Sequence, residues 1–167
     1  MTTIDNHAFA ENQKLLTLKL GTGLTRLNTG SFYDCEALKT VTGGANIKTI
    51  YGDCFRYCAA LETASDLQPG EVKSNAFDGA KTLQSFNFAD ITDLGSYAFR
   101  SCQTLKSVEL PKISSMSWYC FNGCSSLTTV KMGDKITDIP SDAFSSCSSL
   151  ELSLIHISEP TRPISIS

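Results

Sequence analysis

Histidine is nearly missing from this chain: two residues, His7 and His156, in 167. A Ser–His–Asp or Cys–His set would have to be built on His7, and no triad context surrounds it. His7 is expected as a solvated turn residue, and no catalytic residue is expected. An excess of one charge is missing too. The 14 Lys and Arg against 17 Asp and Glu leave a net charge of −3, which gives no electrostatic reason to expect nucleic acid or an anionic membrane as partner. No run approaches the roughly 18 apolar residues that cross a bilayer, so membrane insertion by this segment is not expected. The first six residues, Met1 to Asn6, carry neither a basic region nor an apolar stretch, so no signal peptide is visible. Phosphate-loop and dinucleotide fingerprints are lacking, and Gly43-Gly44 reads as a turn. The acidic residues are scattered, with no Asp-x-Asp-x-Asp loop for calcium. Neither a metal nor a cofactor is expected.

Repetition is what the chain has in abundance. Phenylalanine stands at Phe9, Phe32, Phe55, Phe77, Phe99, Phe121 and Phe144, at spacings of 23, 23, 22, 22, 22 and 23. Six residues after each comes a leucine: Leu15, Leu38, Leu61, Leu83, Leu105, Leu127 and Leu150. A period held this tightly marks a repeat array, and 22–23 residues lies in the range of leucine-rich repeats. One unit cannot bury its aliphatic columns alone, whereas stacked neighbours can. The expected fold is a leucine-rich-repeat solenoid whose coils stack into a parallel sheet.

Further columns give the shape of each coil. Nine residues after the phenylalanine stand Leu18, Val41, Ala64, Phe86, Val108 and Val130; eleven after stand Leu20, Gly43, Asp66, Phe88, Leu110 and Met132. This alternation predicts a short strand with one buried face. Glycine or Pro111 then breaks it. Pairs such as Ile113 and Met116 suggest an extended return. Small and polar residues around each phenylalanine, with Ala98 and Cys102 four apart, suit a short helix or 3₁₀ turn. The unit from Phe55 to Val72, with Ala64, Asp66 and Pro69 in aliphatic columns, is expected to be a bulged or shifted coil with the weakest packing.

All seven cysteines fall on two repeat columns. Cys35, Cys58, Cys102, Cys124 and Cys147 follow a phenylalanine by three, and Cys54 and Cys120 precede one directly. Other repeats place Ala, Ser or Asn in those slots, so the positions want a small side chain, which a buried thiol supplies. Cys54-x-x-x-Cys58 and Cys120-x-x-x-Cys124 lack the usual zinc spacing and any histidine partner. Cys35 and Cys58 lie in adjacent coils at a separation compatible with a disulfide, but their Cβ vectors should run side by side. Free thiols are favoured.

The pattern A-F-x-x-C-x-x-L-x-x-V-x-L-P, clearest from Ala98 to Pro111, resembles the BspA-like leucine-rich repeats. The resemblance covers residues 4 to about 151 and departs from the family where most repeats lack the proline. It implies a protein-binding scaffold of secreted or surface-attached proteins, associated with adhesion. On this reading residues 1–151 are the solenoid, about six to seven repeats truncated at both ends. Residues 152–167 are a non-repeat tail, since Ser153 stands where an aliphatic residue is due. Leu152 to Arg162 resembles translated sequencing-adapter DNA, and the tail is expected to be an artefact.

The candidate partner-binding face is built from two outward columns. Thr17, Thr40, Thr63, Ser85, Ser107 and Thr129 form one, made entirely of hydroxyls; Lys19, Thr42, Ser65, Asn87, Glu109 and Lys131 form the other, which varies in charge. Exposed-sheet propensity explains the first column as well as recognition does, whereas variation between repeats is where ligand choice would reside. Trp118, Tyr119, Tyr97, Tyr33, Tyr51 and Tyr57 form an aromatic group near the turns, expected to pack on neighbouring coils more than to form a contact site. The resulting expectation is a non-enzymatic protein-interaction or adhesion module whose ligand is a protein, for example a host or matrix protein. The alternative is an intracellular repeat scaffold, suggested by free thiols and the missing signal.

Overall fold

The computed structural model describes residues 2–151 and the backbone of 154–156. The chain winds as a solenoid with narrow parallel strand arrays on two different sides. Strands of the first side are β1 (Thr17–Leu20), β3 (Thr40–Gly43), β5 (Thr63–Ala64), β7 (Ser85–Phe86), β9 (Ser107–Leu110) and β11 (Thr129–Met132). Those of the second side are β2 (Arg26–Leu27), β4 (Thr49–Ile50), β6 (Glu71–Val72), β8 (Asp93–Leu94) and β10 (Ser115–Met116). Five complete coils thus carry a strand on each side. Register follows from repeat length. Thr17 pairs with Thr40, Thr40 with Thr63, and Thr63 with Ser85, so each column runs straight up the stack. On the second side Arg26, Thr49, Glu71, Asp93 and Ser115 align likewise.

The core is a set of columns, each residue type sitting on its copy one coil away. Phe32, Phe55, Phe77, Phe99 and Phe121 are wholly buried. From Phe9 to Phe144 successive rings are stacked at 5.0 to 5.5 Å with interplanar angles of 3° to 19°. That separation is the ring-to-ring expression of the roughly 4.8 Å between neighbouring strands. Each such pair adds about 0.5–1.5 kcal/mol beyond burial. The leucines six residues on, Leu38 to Leu127, are buried beside them.

The segments around the phenylalanines are not helices, and this corrects the helix or 3₁₀ expectation. Two residues before and two residues after each of the seven repeat phenylalanines the backbone turns left-handed, with φ between 55° and 78°. Eleven of these fourteen residues are not glycine, among them Tyr57, Tyr97 and Tyr119. Positive φ is costly for such residues; the compensation is a third ladder of backbone bonds. Asp53, Phe55 and Tyr57 donate their amides to Ser74, Ala76 and Asp78 of the next coil at 3.0, 2.7 and 2.8 Å. The amides between them bond inside the coil, Arg56 to Asp53 and Cys58 to Phe55, both at 3.2 Å. A helix would direct all of these donors along its own axis. Here every second one crosses to the neighbour.

This arrangement also explains the thiols. All seven cysteines are buried and unpaired. Five of them donate S–H to the carbonyl of the phenylalanine one coil back: Cys35 to Phe9, Cys58 to Phe32, Cys102 to Phe77, Cys124 to Phe99 and Cys147 to Phe121, at 3.1 to 3.5 Å. Burial pushes the Cys54, Cys58, Cys102 and Cys120 thiols above their usual range. All four are neutral, inert packing groups, and Cys58 and Cys102 among them are donors.

In the unit from Phe55 to Val72, β5 is two residues long and its register with β3 is the single pair Thr40–Thr63. Leu67, one residue past the degraded column, is wholly buried, and the Asp66 carboxylate accepts from the Gly43 amide at 2.8 Å. A second irregular place is one coil further on, between β7 and β9. At the far end, β12 (Leu154–His156) runs parallel to β11 with Leu154 opposite Val130, one residue later than the repeat spacing places Ser153. Residues 152–153 and 157–167, with most of the expected tail, lie outside the described residues.

Candidate ligand-binding face

The two outward columns stand on the first sheet, where side-chain alternation turns them away from Val41, Ala64, Val108 and Val130 in the core. None of the twelve residues is buried. Thr17, Lys19, Thr42, Ser65, Ser85, Ser107 and Glu109 are exposed, and Thr40, Thr63, Asn87, Thr129 and Lys131 are half-buried. Several engage one another or their own strand. Lys131 donates to Glu109 at 2.6 Å, Thr63 and Ser65 share a hydrogen bond of 3.4 Å, and the Asn87 amide oxygen accepts from the Ala89 backbone at 3.0 Å. Lys19 and Lys131 thus stand near opposite ends of a hydroxyl-rich strip.

The strip is interrupted. β1, β3, β5 and β7 form one continuous sheet, and β9, β11 and β12 form another, but β7 and β9 are not hydrogen-bonded. At four positions the residue seven after a repeat phenylalanine donates to its counterpart one coil back: Lys39 to Leu16, Glu62 to Lys39, Gln84 to Glu62 and Thr128 to Lys106, each at 2.9 Å. Among the described residues the bond from Lys106 to Gln84 has no such counterpart, nor does one from Ser107 to Gln84. The coils themselves stay stacked. β8 and β10 are paired on the second side, Phe77 and Phe99 are 5.0 Å apart, and Thr104 donates to Lys81 at 3.2 Å above the break.

Phe86 and Phe88 account for the interruption. Their columns hold smaller side chains in every other coil, with Val on the next two at the first position. The Phe86 ring sits edge-on between Phe77 and Phe99, at 5.0 and 5.1 Å. Phe88 reaches Phe99 at 5.1 Å and Phe121, two coils on, at 6.1 Å. Filling the core with these rings holds the backbone of 84–86 away from that of 106–108. Two clefts follow on the surface. One, of about 440 Å³, is lined by Gln84, Thr104, Lys106, Ser107 and Ser126. The other, of about 280 Å³, is lined by Phe86, Asn87, Phe88, Ala89, Ser107, Glu109 and Pro111. Ser107 belongs to both.

On the turn side, the residue after each phenylalanine makes a column of its own that sequence reading did not follow. Asp78, 2% exposed, lies between Arg56 and Arg100 of the flanking coils. Arg100 grips its two oxygens at 2.8 and 2.7 Å, and Arg56 Nε approaches at 3.2 Å. Each guanidinium also covers a tyrosine ring, Arg56 over Tyr57 at 4.7 Å and Arg100 over Tyr97 at 4.6 Å. Tyr97 and Tyr119 stack at 5.2 Å and 7°, and Tyr33 meets Tyr57 edge-on at 5.8 Å. Packing therefore describes most of the aromatic group. Trp118 departs from that expectation, since it is 65% exposed. His7 is exposed, and its ring lies over Gly30, where a Cβ would come within 2.2 Å of it and φ is 60°. Among the described residues no group of three His, Cys, Asp or Glu side chains is arranged to hold a metal, and no helix is long and apolar enough to cross a membrane.

The chain matches the family described as BspA type leucine rich repeat region, in six copies over residues 1–66 and 70–165. None of the curated proteins matches it. Among solved structures it is similar to a leucine-rich repeat protein from Bacteroides ovatus ATCC 8483, with a TM-score of 0.72 and 18% identity, covering 83% of this chain and 39% of that one. It is similar to the Leucine Rich Repeat protein of T. pallidum, with a TM-score of 0.52 and 18% identity, covering 87% of this chain and 58% of the other. A leucine rich cell surface protein from Faecalibacterium prausnitzii A2-165 aligns with a TM-score of 0.49 and 21% identity, over 95% and 64% of the two chains. The chain therefore spans between 39% and 64% of the length of these structures. The fold is shared at that level of identity, and by its repeated sequence this chain belongs to the BspA type leucine-rich-repeat family.

Proposed function

We propose that this chain is a non-enzymatic protein-binding module that presents the first sheet and its flanking turns to a protein ligand, in an adhesive role at the cell surface or outside the cell. The observation that carries the reading is the outward strip itself. It consists of twelve residues in two straight columns, none buried, of constant hydroxyl character in one column and changing charge in the other. Solenoids offer such extended faces to partners, and family membership supports an interaction role and a surface setting. The boundary at residue 151 and the foreign origin of the tail belong to the same proposal. The competing reading, an intracellular scaffold, draws on the unpaired thiols. The phenylalanine carbonyls that five of them satisfy supply a packing reason for cysteine, so thiols do not select a reducing compartment.

The test is capture by immobilised host matrix glycoproteins and collagen. The wild type is compared with a face variant carrying Thr42→Arg, Ser65→Arg and Lys131→Glu, and with the second-side variant Arg26→Glu. Binding that the face variant loses and Arg26→Glu retains, with unchanged circular dichroism, supports the assignment. Equal binding by all three would place recognition elsewhere.

A further inference from the structure

The break between β7 and β9 carries an inference that rests on the reading of the first sheet as the binding face. It leaves the Lys106 and Ser107 amides and the Gln84 carbonyl without the inter-coil backbone bonds their counterparts make. These groups lie on residues that line the larger cleft, with Thr104 and Ser126. The cleft's side chains are one ammonium, three hydroxyls and one amide, with no carboxylate among them. Lys106 makes no ion pair among the described residues, unlike Lys112, which is held by Asp90 at 2.6 Å, and Lys131, held by Glu109. Thr104 uses its hydroxyl on the Lys81 and Leu83 carbonyls. Lys106, Ser107, Ser126 and the two backbone amides are therefore free to face an anion. The second cleft continues from Ser107 along β9 onto Phe86, Phe88 and Pro111, and its carboxylate, Glu109, is already paired. From Thr104 to Pro111 the path is about 23 Å, the length of seven extended residues.

We infer that this seam is a cleft for an extended acidic peptide, with a ligand carboxylate set among Lys106, Ser107 and Ser126 and an apolar ligand residue about four positions away against Phe86 and Pro111. The unpaired amides and carbonyl supply main-chain bonds of the kind that strand-addition recognition uses. The coils are too closely stacked to admit a full strand, so the peptide lies over the seam and not within the sheet.

The probes are acetylated, amidated Gly/Ser/Thr heptapeptides carrying one Asp and, four residues away, one Leu, in both orders, followed by amide chemical shifts of the labelled chain. Shifts centred on Lys106 and Ser107 are expected with one order. Replacing the peptide Asp by Asn should weaken binding about ten-fold, the worth of one charge-assisted hydrogen bond. Lys106→Gln should erase that difference, and Phe86→Val, which installs the side chain of the next two coils, should close the seam and abolish binding. Unmoved Lys106 and Ser107 amides at millimolar peptide, equal affinity for the Asp and Asn peptides, or tighter binding of a hexuronic acid oligosaccharide would overturn the inference. Matrix-protein capture retained by Lys106→Gln and Phe86→Val but lost by the face variant would overturn it while leaving the broader function standing.

Discussion

Arg100 holds Asp78 with two parallel hydrogen bonds, 2.8 Å from Nε and 2.7 Å from Nη2, across the junction of two coils. With Arg56 on the opposite side, the carboxylate bridges three consecutive repeats. Paired geometry of this kind is stronger than a surface ion pair.

Asp78→Asn should destabilise the fold by about 2–3 kcal/mol. This is less than the 3–5 kcal/mol of a fully buried pair, because Arg56 and Arg100 keep 27% and 34% of their side chains in water. Urea unfolding measures it. A loss below about half a kcal/mol would show that the arginines find equivalent partners without the charge.

Stability should fall steeply at alkaline pH. The Cys54, Cys58, Cys102 and Cys120 thiols are raised in the folded chain by burial, so above about pH 8.5 the unfolded chain releases protons that the folded one retains. The folded state then binds more protons than the unfolded state. Each such thiol removes about 1.4 kcal/mol per pH unit, and the contribution is intact below the unfolded value. Unfolding under reductant at pH 8 and pH 10 gives the slope, which Cys102→Ala should lessen by one proton. A flat profile would mean that the thiols ionise as readily in the fold.

Removing one ring from the aromatic ladder should cost more than removing a peripheral one. Phe99 touches Phe77, Phe86, Phe88 and Phe121, and Phe99→Ala should cost about 3–5 kcal/mol. Phe9, 39% exposed at the first coil, should cost less than half as much. Thermal melts of the two variants compare them, and equal losses would argue that burial and the number of ring contacts do not set the cost.

Hydrogen exchange should map the seam directly. The Thr128 amide bonds to Lys106 at 2.9 Å, while Lys106 has no equivalent bond to Gln84. Lys106 and Ser107 should exchange at least about a hundred-fold faster than Thr128. Phe86→Val should slow them. Equal protection in the wild type would mean the ladder is continuous in solution.

The coil was legible because its anchors are strict. One phenylalanine and one leucine per 22 or 23 residues set the register of every strand pair, from Thr17–Thr40 to Thr129–Ser107. The left-handed turns were not legible. Their two positions are filled by His7, Tyr97, Glu11 and Ser101 as well as by glycine, and only the inter-coil amide bonds make such residues acceptable there. The seam was hidden for another reason. Phe86 and Phe88 satisfy a hydrophobic column as well as valine does, and the pattern records polarity without volume. Asp78 escaped because Arg56, Asp78 and Arg100 are neighbours only across coils, in a column with no common residue type. The twelve face residues could be read because alternation around the buried column fixes their direction.

The unequal bonding of the two sides at β7 and β9 also has a mechanical meaning. A stacked column joined along β8–β10 and the turn ladder but parted between β7 and β9 is a notched beam, most compliant in the plane of its notch. Bending should concentrate at that junction, about the β8–β10 pairing, with the segments above and below it as two stiffer blocks.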